Sequence, residues 1–434
     1  MMFEMKELNR LSATDAAKRL ATREISAEQY LRACLERIDE REKDVHAFAF
    51  INRDGALSRA RQLDAGAVLG PLHGLTLGIK DVFDTYDMPT QGGSKAFEGY
   101  RPSQDAGCIA YARKMGAIVL GKTVTAELAT FPANETRNPL NLAHTPGGSS
   151  SGSAAAVADF MVAAATGTQQ FGSLIRPAGY CGVIAFKPTY NLIPKRGVWA
   201  NSDSCDTVGV IARTVPDAAL VTSAMIEFPG LRAFVEHADT VPAPKIGLCR
   251  SYEWDRCDAH MQAAFEAARG TLTAGGAKVS EIALPQRFSG MAQAQSLVSN
   301  FEMSRGFSDV VIRFGDKLRK PLYERSVAGL KISGEDYQRA QRLGRECRQL
   351  FPDVLADCDV LLTPAATGEA PKGIDNTGDP IMNGVWSFMH TPCVSVTGGY
   401  GPNGLPLALQ VVGRIDDDAR TLACAHWIHR HLGG

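Results

Sequence analysis

The chain has 434 residues, 45% of them hydrophobic and 21% charged, with a formal net charge of −1. This is ordinary globular composition, and a near-neutral balance supplies no global field for nucleic acid or an anionic membrane. The Met1 to Asn9 stretch has no apolar signal core, and the longest small-apolar run, Ala154 to Thr166, is interrupted by Asp159 and too short to span a bilayer. A cytoplasmic protein with no membrane partner is expected.

Ser12 and Thr14 precede a helical stretch through Leu20, and Ser26-Ala27-Glu28-Gln29 reads as a capping box. Leu31, Cys34, Leu35 and Ile38 follow at helical spacing, so an N-terminal helical segment extends to about residue 45. Val45 to Ile51 reads as a strand and Ala56 to Ala65 as a helix. The apolar run Leu75 to Ile79 delivers Lys80 at its end. Ala106 to Met115 reads as a helix and Ala117 to Gly121 as a buried strand. The alternation continues with a strand at Lys245 to Leu248, a helix at Ala259 to Ala274, and strands at Lys278 to Ala283 and Asp359 to Pro364. From about Val298 to Leu350 the chain is charged and reads as a mainly helical surface layer. Helices alternating with short apolar strands predict an α/β layered fold with a largely buried sheet, in one large domain spanning 1–434. Ten cysteines stand far apart with no C-x-x-C pair, so reduced packing thiols are expected.

Three segments carry the chemistry. Gly78-Ile79-Lys80-Asp81 places a lysine after an apolar run, and a desolvated lysine can lose its proton near neutral pH. Alone, Lys80 would read as a solvated surface residue. Gly147-Gly148-Ser149-Ser150-Ser151-Gly152-Ser153 is glycine-rich backbone that can fold tightly and aim several N–H and O–H groups at one point. A flexible linker is the bland alternative, but linkers rarely run straight into an alanine-rich helix such as Ala154 to Ala158. The segment lacks the lysine that a phosphate-binding loop requires.

The third segment, Gly167 to Pro177, contains Ser173. Acyl transfer needs a nucleophile beside N–H groups that hold the oxyanion, and those of Gln170, Phe171, Gly172 and Ser173 form a candidate nest. A serine relay could then pass the proton of a nucleophile to a neutral lysine. No metal-ligand pattern is present, and His144 reads as a structural hydrogen-bonding residue.

Together these segments resemble the amidase signature family, whose serine hydrolases use a Ser–cis-Ser–Lys triad. The match runs from Pro71-Leu72-His73-Gly74 to the Gly404 to Gly413 segment, with core motifs between 71 and 215. Lys80 and Ser149 stand 69 positions apart, and Ser149 and Ser173 stand 24 apart. Within the family the chain looks most similar to the malonamidase type, through Thr136-Arg137-Asn138-Pro139, His144 to Gly148, Ile175-Arg176-Pro177-Ala178, Ser204 to Gly209, Thr377 to Pro380 and Asn383 to Trp386. The resemblance implies a mixed sheet covered by helices on both faces. It makes Ser173 the nucleophile, Ser149 (after a cis peptide) the proton shuttle and Lys80 the base, with Ser150 helping to hold Lys80. Arg176 matches an arginine that grips a substrate carboxylate, through the two parallel bonds that a guanidinium offers. A structural ion pair with an acidic side chain is the alternative for it.

One departure stands out. Phe171 occupies a position where the family has a glycine, and a positive φ there would strain it by about 1 kcal/mol or more. Phe171 could also fill the acyl pocket, and Gln170 adds an amide for a polar substrate group. The reading is a cofactor-free amidohydrolase of a small polar amide, a carboxylate-bearing monoamide or a ureide. The resemblance is also compatible with a homodimer. Two alternatives remain: a component of an amidotransferase, working with partners on aminoacyl-tRNA, and a catalytically silent ligand-binding relative.

Overall fold

The computed structural model describes residues 5–130, 132–237 and 240–433. Met1 to Glu4, the start of the N-terminal stretch read above, lie outside the described residues. Eleven strands form one sheet: β1 (Phe48–Ile51), β2 (Thr76–Lys80), β3 (Ile118–Thr123), β4 (Ala164–Gln169), β5 (Ile184–Lys187), β6 (Thr207–Ala212), β7 (Lys245–Cys249), β8 (Lys278–Ile282), β9 (Val360–Pro364), β10 (Cys393–Tyr400) and β11 (Pro406–Val412). Their spatial order is β1-β3-β2-β4-β6-β5-β10-β11-β9-β7-β8. β2 runs parallel to β3 and β4, and β7 runs parallel to β8 and β9, while the other neighbours pair antiparallel. The expected single α/β domain with a mixed sheet flanked by helices is therefore present. The central strands β2, β4, β6, β5 and β11 are buried along their whole length, as strands covered on both faces must be.

Local signals place most elements. The Ser26–Gln29 capping box forms with both reciprocal bonds and opens the helix Ala27–Val45. That helix takes Val45, where a strand is expected; His46 closes it at φ 53°, and β1 begins only at Phe48. Strands β4, β5, β6, β10 and β11 had no expectation of their own. β4 reads Ala-Ala-Thr-Gly-Thr-Gln, poor in the β-branched apolar residues that mark a strand. Its small residues answer a packing demand, since a Cβ on Gly167 would stand 2.3 Å from Leu174 Cδ1 and 2.9 Å from Ser150 Oγ.

The region 298–350 is helical, as expected, in Met291–Gly306, Ser308–Phe314, Lys320–Gly329 and Gly334–Leu355. It is more than a surface layer, because Gln295, Ser299 and Leu322 are buried in its inner face. The N-terminal helix is tied to the core by Asp159, a buried carboxylate that accepts from both Arg37 and Arg41. All ten cysteines are buried and none is in a disulfide; burial pushes the Cys34 thiol up to about 11, so it packs as a neutral group. Among the described residues no helix is long and apolar enough to cross a membrane.

The glycine- and serine-rich segment is buried throughout, which removes the linker alternative. Gly152 lies in the first turn of the helix Ser151–Ala158, where a Cβ would stand 2.1 Å from Ala47 O and 2.4 Å from Val124 N. Backbone on both sides cannot yield. Gly152→Ala should therefore destabilise the fold by about 1–3 kcal/mol and lower the thermal unfolding midpoint; an unchanged midpoint would contradict this packing.

Candidate active site

The site lies at the carboxyl ends of the parallel strands β2 and β4, the edge where open α/β sheets bind ligands. Lys80 is the last residue of β2 and has no exposed surface. Its backbone N–H donates to Thr166 Oγ1 at 3.0 Å. Its Nζ lies 2.9 Å from Ser149 Oγ and donates to Thr168 Oγ1 at 2.7 Å. Burial pushes the amine down to about 7, and the nearby Asp206 carboxylate opposes the shift. Asp206 is itself occupied, accepting from the N–H groups of Asn201 at 2.6 Å and Ser202 at 2.8 Å.

Ser149 follows a cis Gly148–Ser149 peptide and is 2% exposed. Ser150 does not touch Lys80 as expected. Its Oγ instead donates to Thr168 O and accepts from Thr168 N, both at 3.4 Å, and its own N–H donates to Ser173 O at 3.2 Å. Ser150 thus braces the end of β4 against the Ser173 loop, and Thr168 holds the amine.

Ser173 is half-buried, and its Oγ has no hydrogen-bond partner among the described residues. It lines a cavity of about 240 Å³ with Gln170, Phe171, Arg176, Asn300 and Arg325. The loop before Ser173 is pinned through its carbonyls. Gln295 Nε2 donates to Gln170 O at 3.1 Å, Ser387 Oγ to Phe171 O at 2.8 Å, and Arg176 N to Gly172 O at 3.1 Å. The side chain of Gln169 accepts from the N–H groups of Leu174 and Ile175. The N–H groups of Gln170, Phe171, Gly172 and Ser173 have no acceptor among the described residues, a donor nest of the kind that holds an oxyanion.

Phe171 has no positive φ, so the anticipated backbone strain is absent. Gly172 is the position that cannot accept a side chain, since its Cβ would stand 2.4 Å from Asn383 Oδ1. Phe171 and Ser173 share the cavity, so the ring forms a wall without closing the pocket.

The ion pair offered as the alternative for Arg176 is absent among the described residues, and the fork expected to grip a carboxylate is largely occupied. Arg176 is 3% exposed, and its fork holds main chain. One terminal nitrogen donates to Thr377 O at 2.6 Å and to Gly378 O; the other donates to Gly148 O at 2.7 Å and to Thr377 Oγ1 at 3.4 Å. No carboxylate pairs with it among the described residues. Its buried Nε has no partner, and neither does the buried Nε2 of Gln170. His144 is structural, as expected, with Nδ1 2.8 Å from Ala370 O.

Sequence reasoning missed Thr168, Gln295, Ser387, Asn300 and Arg325. Only Thr168 left a trace, because it lies in the segment singled out for Ser173. The others arrive from helices more than a hundred residues away.

Comparison with known proteins agrees with this architecture. The family described as Amidase matches residues 29–422. A glutamyl-tRNA(Gln) amidotransferase subunit of Acidothermus cellulolyticus is 39% identical, with 96% of this chain and 93% of that one covered. A crystal structure of an amidase superposes with a TM-score of 0.89 at 28% identity, covering 98% of this chain and 100% of that one. The peptide amidase PAM in complex with the competitive inhibitor chymostatin superposes with a TM-score of 0.84 at 28% identity, covering 96% and 97%. On the length of this match, and on the fold it shares with these enzymes, the chain belongs to the amidase signature family and is a hydrolase of amide C–N bonds.

Proposed function

We propose that the enzyme hydrolyses a small polar amide carrying a carboxylate, through an acyl-enzyme on Ser173. The observation behind this substrate class is the cavity beside Ser173. Two buried donors without partners, Gln170 Nε2 and Arg176 Nε, belong to residues that line it, and no acidic side chain does among the described residues. A buried donor left unmatched costs about 1–3 kcal/mol, and a ligand rich in acceptors removes that cost.

In the proposed mechanism the neutral amine of Lys80 takes a proton from Ser149 Oγ as Ser149 takes the proton of Ser173 Oγ. Ser173 Oγ bonds to the carbonyl carbon, and the charge developing on the carbonyl oxygen falls on the N–H groups of the Gln170 to Ser173 nest. The relay then runs backwards. Lys80 returns its proton through Ser149 to the leaving nitrogen, the C–N bond breaks, and ammonia or an amine departs. Water attacks the ester along the same path, releasing the acid and restoring Ser173. The base needs no histidine, because burial has already brought the lysine into the range where it exchanges protons near neutral pH.

A second reading rests on the Acidothermus relative, whose name makes it part of an amidotransferase for glutamyl-tRNA(Gln). On that reading this chain works with partner proteins and aminoacyl-tRNA. The isolated chain decides between them. Ammonia release from small amides without any partner supports the first reading, and activity that appears only with partner proteins and tRNA supports the second.

Two substitutions test the mechanism. Ser173→Ala should lower ammonia release by roughly a thousandfold or more while leaving the circular dichroism spectrum intact; turnover surviving in a pure sample would remove Ser173 as nucleophile. Thr168→Val keeps the volume but deletes the hydroxyl that Lys80 Nζ contacts at 2.7 Å. It should lower kcat about tenfold with little change in KM. A changed KM at constant kcat would place Thr168 in substrate binding instead.

A further inference from the structure

Arg176 has five N–H donors, and four already serve Gly148, Thr377 and Gly378. It can offer a substrate the single Nε–H, but not two parallel bonds while it holds that main chain. A second guanidinium stands on the same cavity. Arg325 projects from the helix Lys320–Gly329, in the layer that the sequence marked as surface. That helix packs closely on Met291–Gly306, because a Cβ on Gly329 would stand 2.4 Å from Asn300 O. The contact brings Asn300 Oδ1 to 2.6 Å from Arg325 Nε, which donates to it and fixes the plane of the guanidinium. The ring of Phe171 lies beneath, 5.7 Å from the guanidinium carbon, as a cation–π platform.

We propose that Arg325 is the specificity-determining residue that receives the substrate's carboxylate, with Phe171 and Asn300 holding it over the cavity. Arg176 then frames the Ser149 loop. This inference rests on the carboxylate-bearing substrate proposed above and assigns its recognition to a residue outside the core motifs. It also gives the Phe171 departure a purpose: a glycine there would remove the ring beneath the guanidinium. Burial lowers the Arg325 guanidinium to about 10, so it stays charged at neutral pH, and an entering carboxylate offsets part of the desolvation that lowers it.

The test compares succinamate with its neutral methyl ester in the wild type, Arg325→Gln, Arg325→Lys and Arg176→Gln. The ratio of kcat/KM for succinamate over the ester should fall roughly tenfold to hundredfold in Arg325→Gln, chiefly through KM, and recover in part in Arg325→Lys. Arg176→Gln should lower both substrates together. A ratio preserved in Arg325→Gln but lost in Arg176→Gln would overturn this inference and leave the amidase reading standing. A wild type that prefers the ester would overturn the carboxylate reading and this inference with it. If neither amide turns over, calorimetry with succinate decides: weaker binding in Arg325→Gln supports the assignment, and equal binding overturns it.

Discussion

The removal of Lys80 from water is the constraint on which the rest of the site depends. Among the described residues three lysines are fully buried, and their surroundings differ. Lys122 meets the Asp81 carboxylate at 3.2 Å and donates to Phe83 O, Pro89 O and Thr90 Oγ1. Lys187 donates to the carbonyls of Pro188 and Thr391. Lys80 contacts two hydroxyls, and its influencing carboxylate, Asp206, is already engaged with main-chain N–H groups. Desolvation disfavours the charged form of any buried amine. A neutral amine keeps two N–H donors and gains a lone pair, and the Ser149 and Thr168 hydroxyls that surround Lys80 can donate to that lone pair, which carbonyl oxygens cannot do.

Around that amine the fold supplies rigidity. β2 and β4 run parallel with Gly78 level with Ala165, which brings Lys80 at the end of β2 within reach of Thr168. Ser150 binds Thr168 and Ser173 through main chain, so the strand end and the loop move as one unit. The N–H nest is aimed by its carbonyls, each held from a different element: Gln295 from one helix, Ser387 from another, and Arg176 N from the short helix Ile175–Tyr180 that follows. Preorganised donors of this kind stabilise developing charge without reorganising during the reaction. The helical layer places Asn300 and Arg325 on the cavity that Ser173 shares, where the proposed reading assigns them substrate selection.

How far the sequence discloses this depends on how local each feature is. The proposed catalytic pattern is legible because Lys80, Ser149 and Ser173 each stand in a short segment with its own chemical signature. The capping box at Ser26 and the strands around Lys80, Lys245 and Val360 are legible for the same reason. β4 is not, because its place in the middle of the sheet selects Ala, Gly and Thr to fit neighbours, and those residues carry no strand signal. Arg176 shows the limit of analogy: its place in the motif is legible, but its partners are carbonyls 28 and about 200 positions away, which no local pattern encodes. Gln295 and Ser387 reach the oxyanion loop across 125 and 216 positions, so only the folded chain brings them there.

The central claim is that Lys80 loses its proton near physiological pH. It is tested most directly by carbon NMR of protein labelled at lysine Cε, with the Lys80 signal assigned from its loss in Lys80→Met. The account expects a titration midpoint at about 7. A midpoint near the ordinary lysine value of 10.5 would leave the amine charged and would remove it as the base.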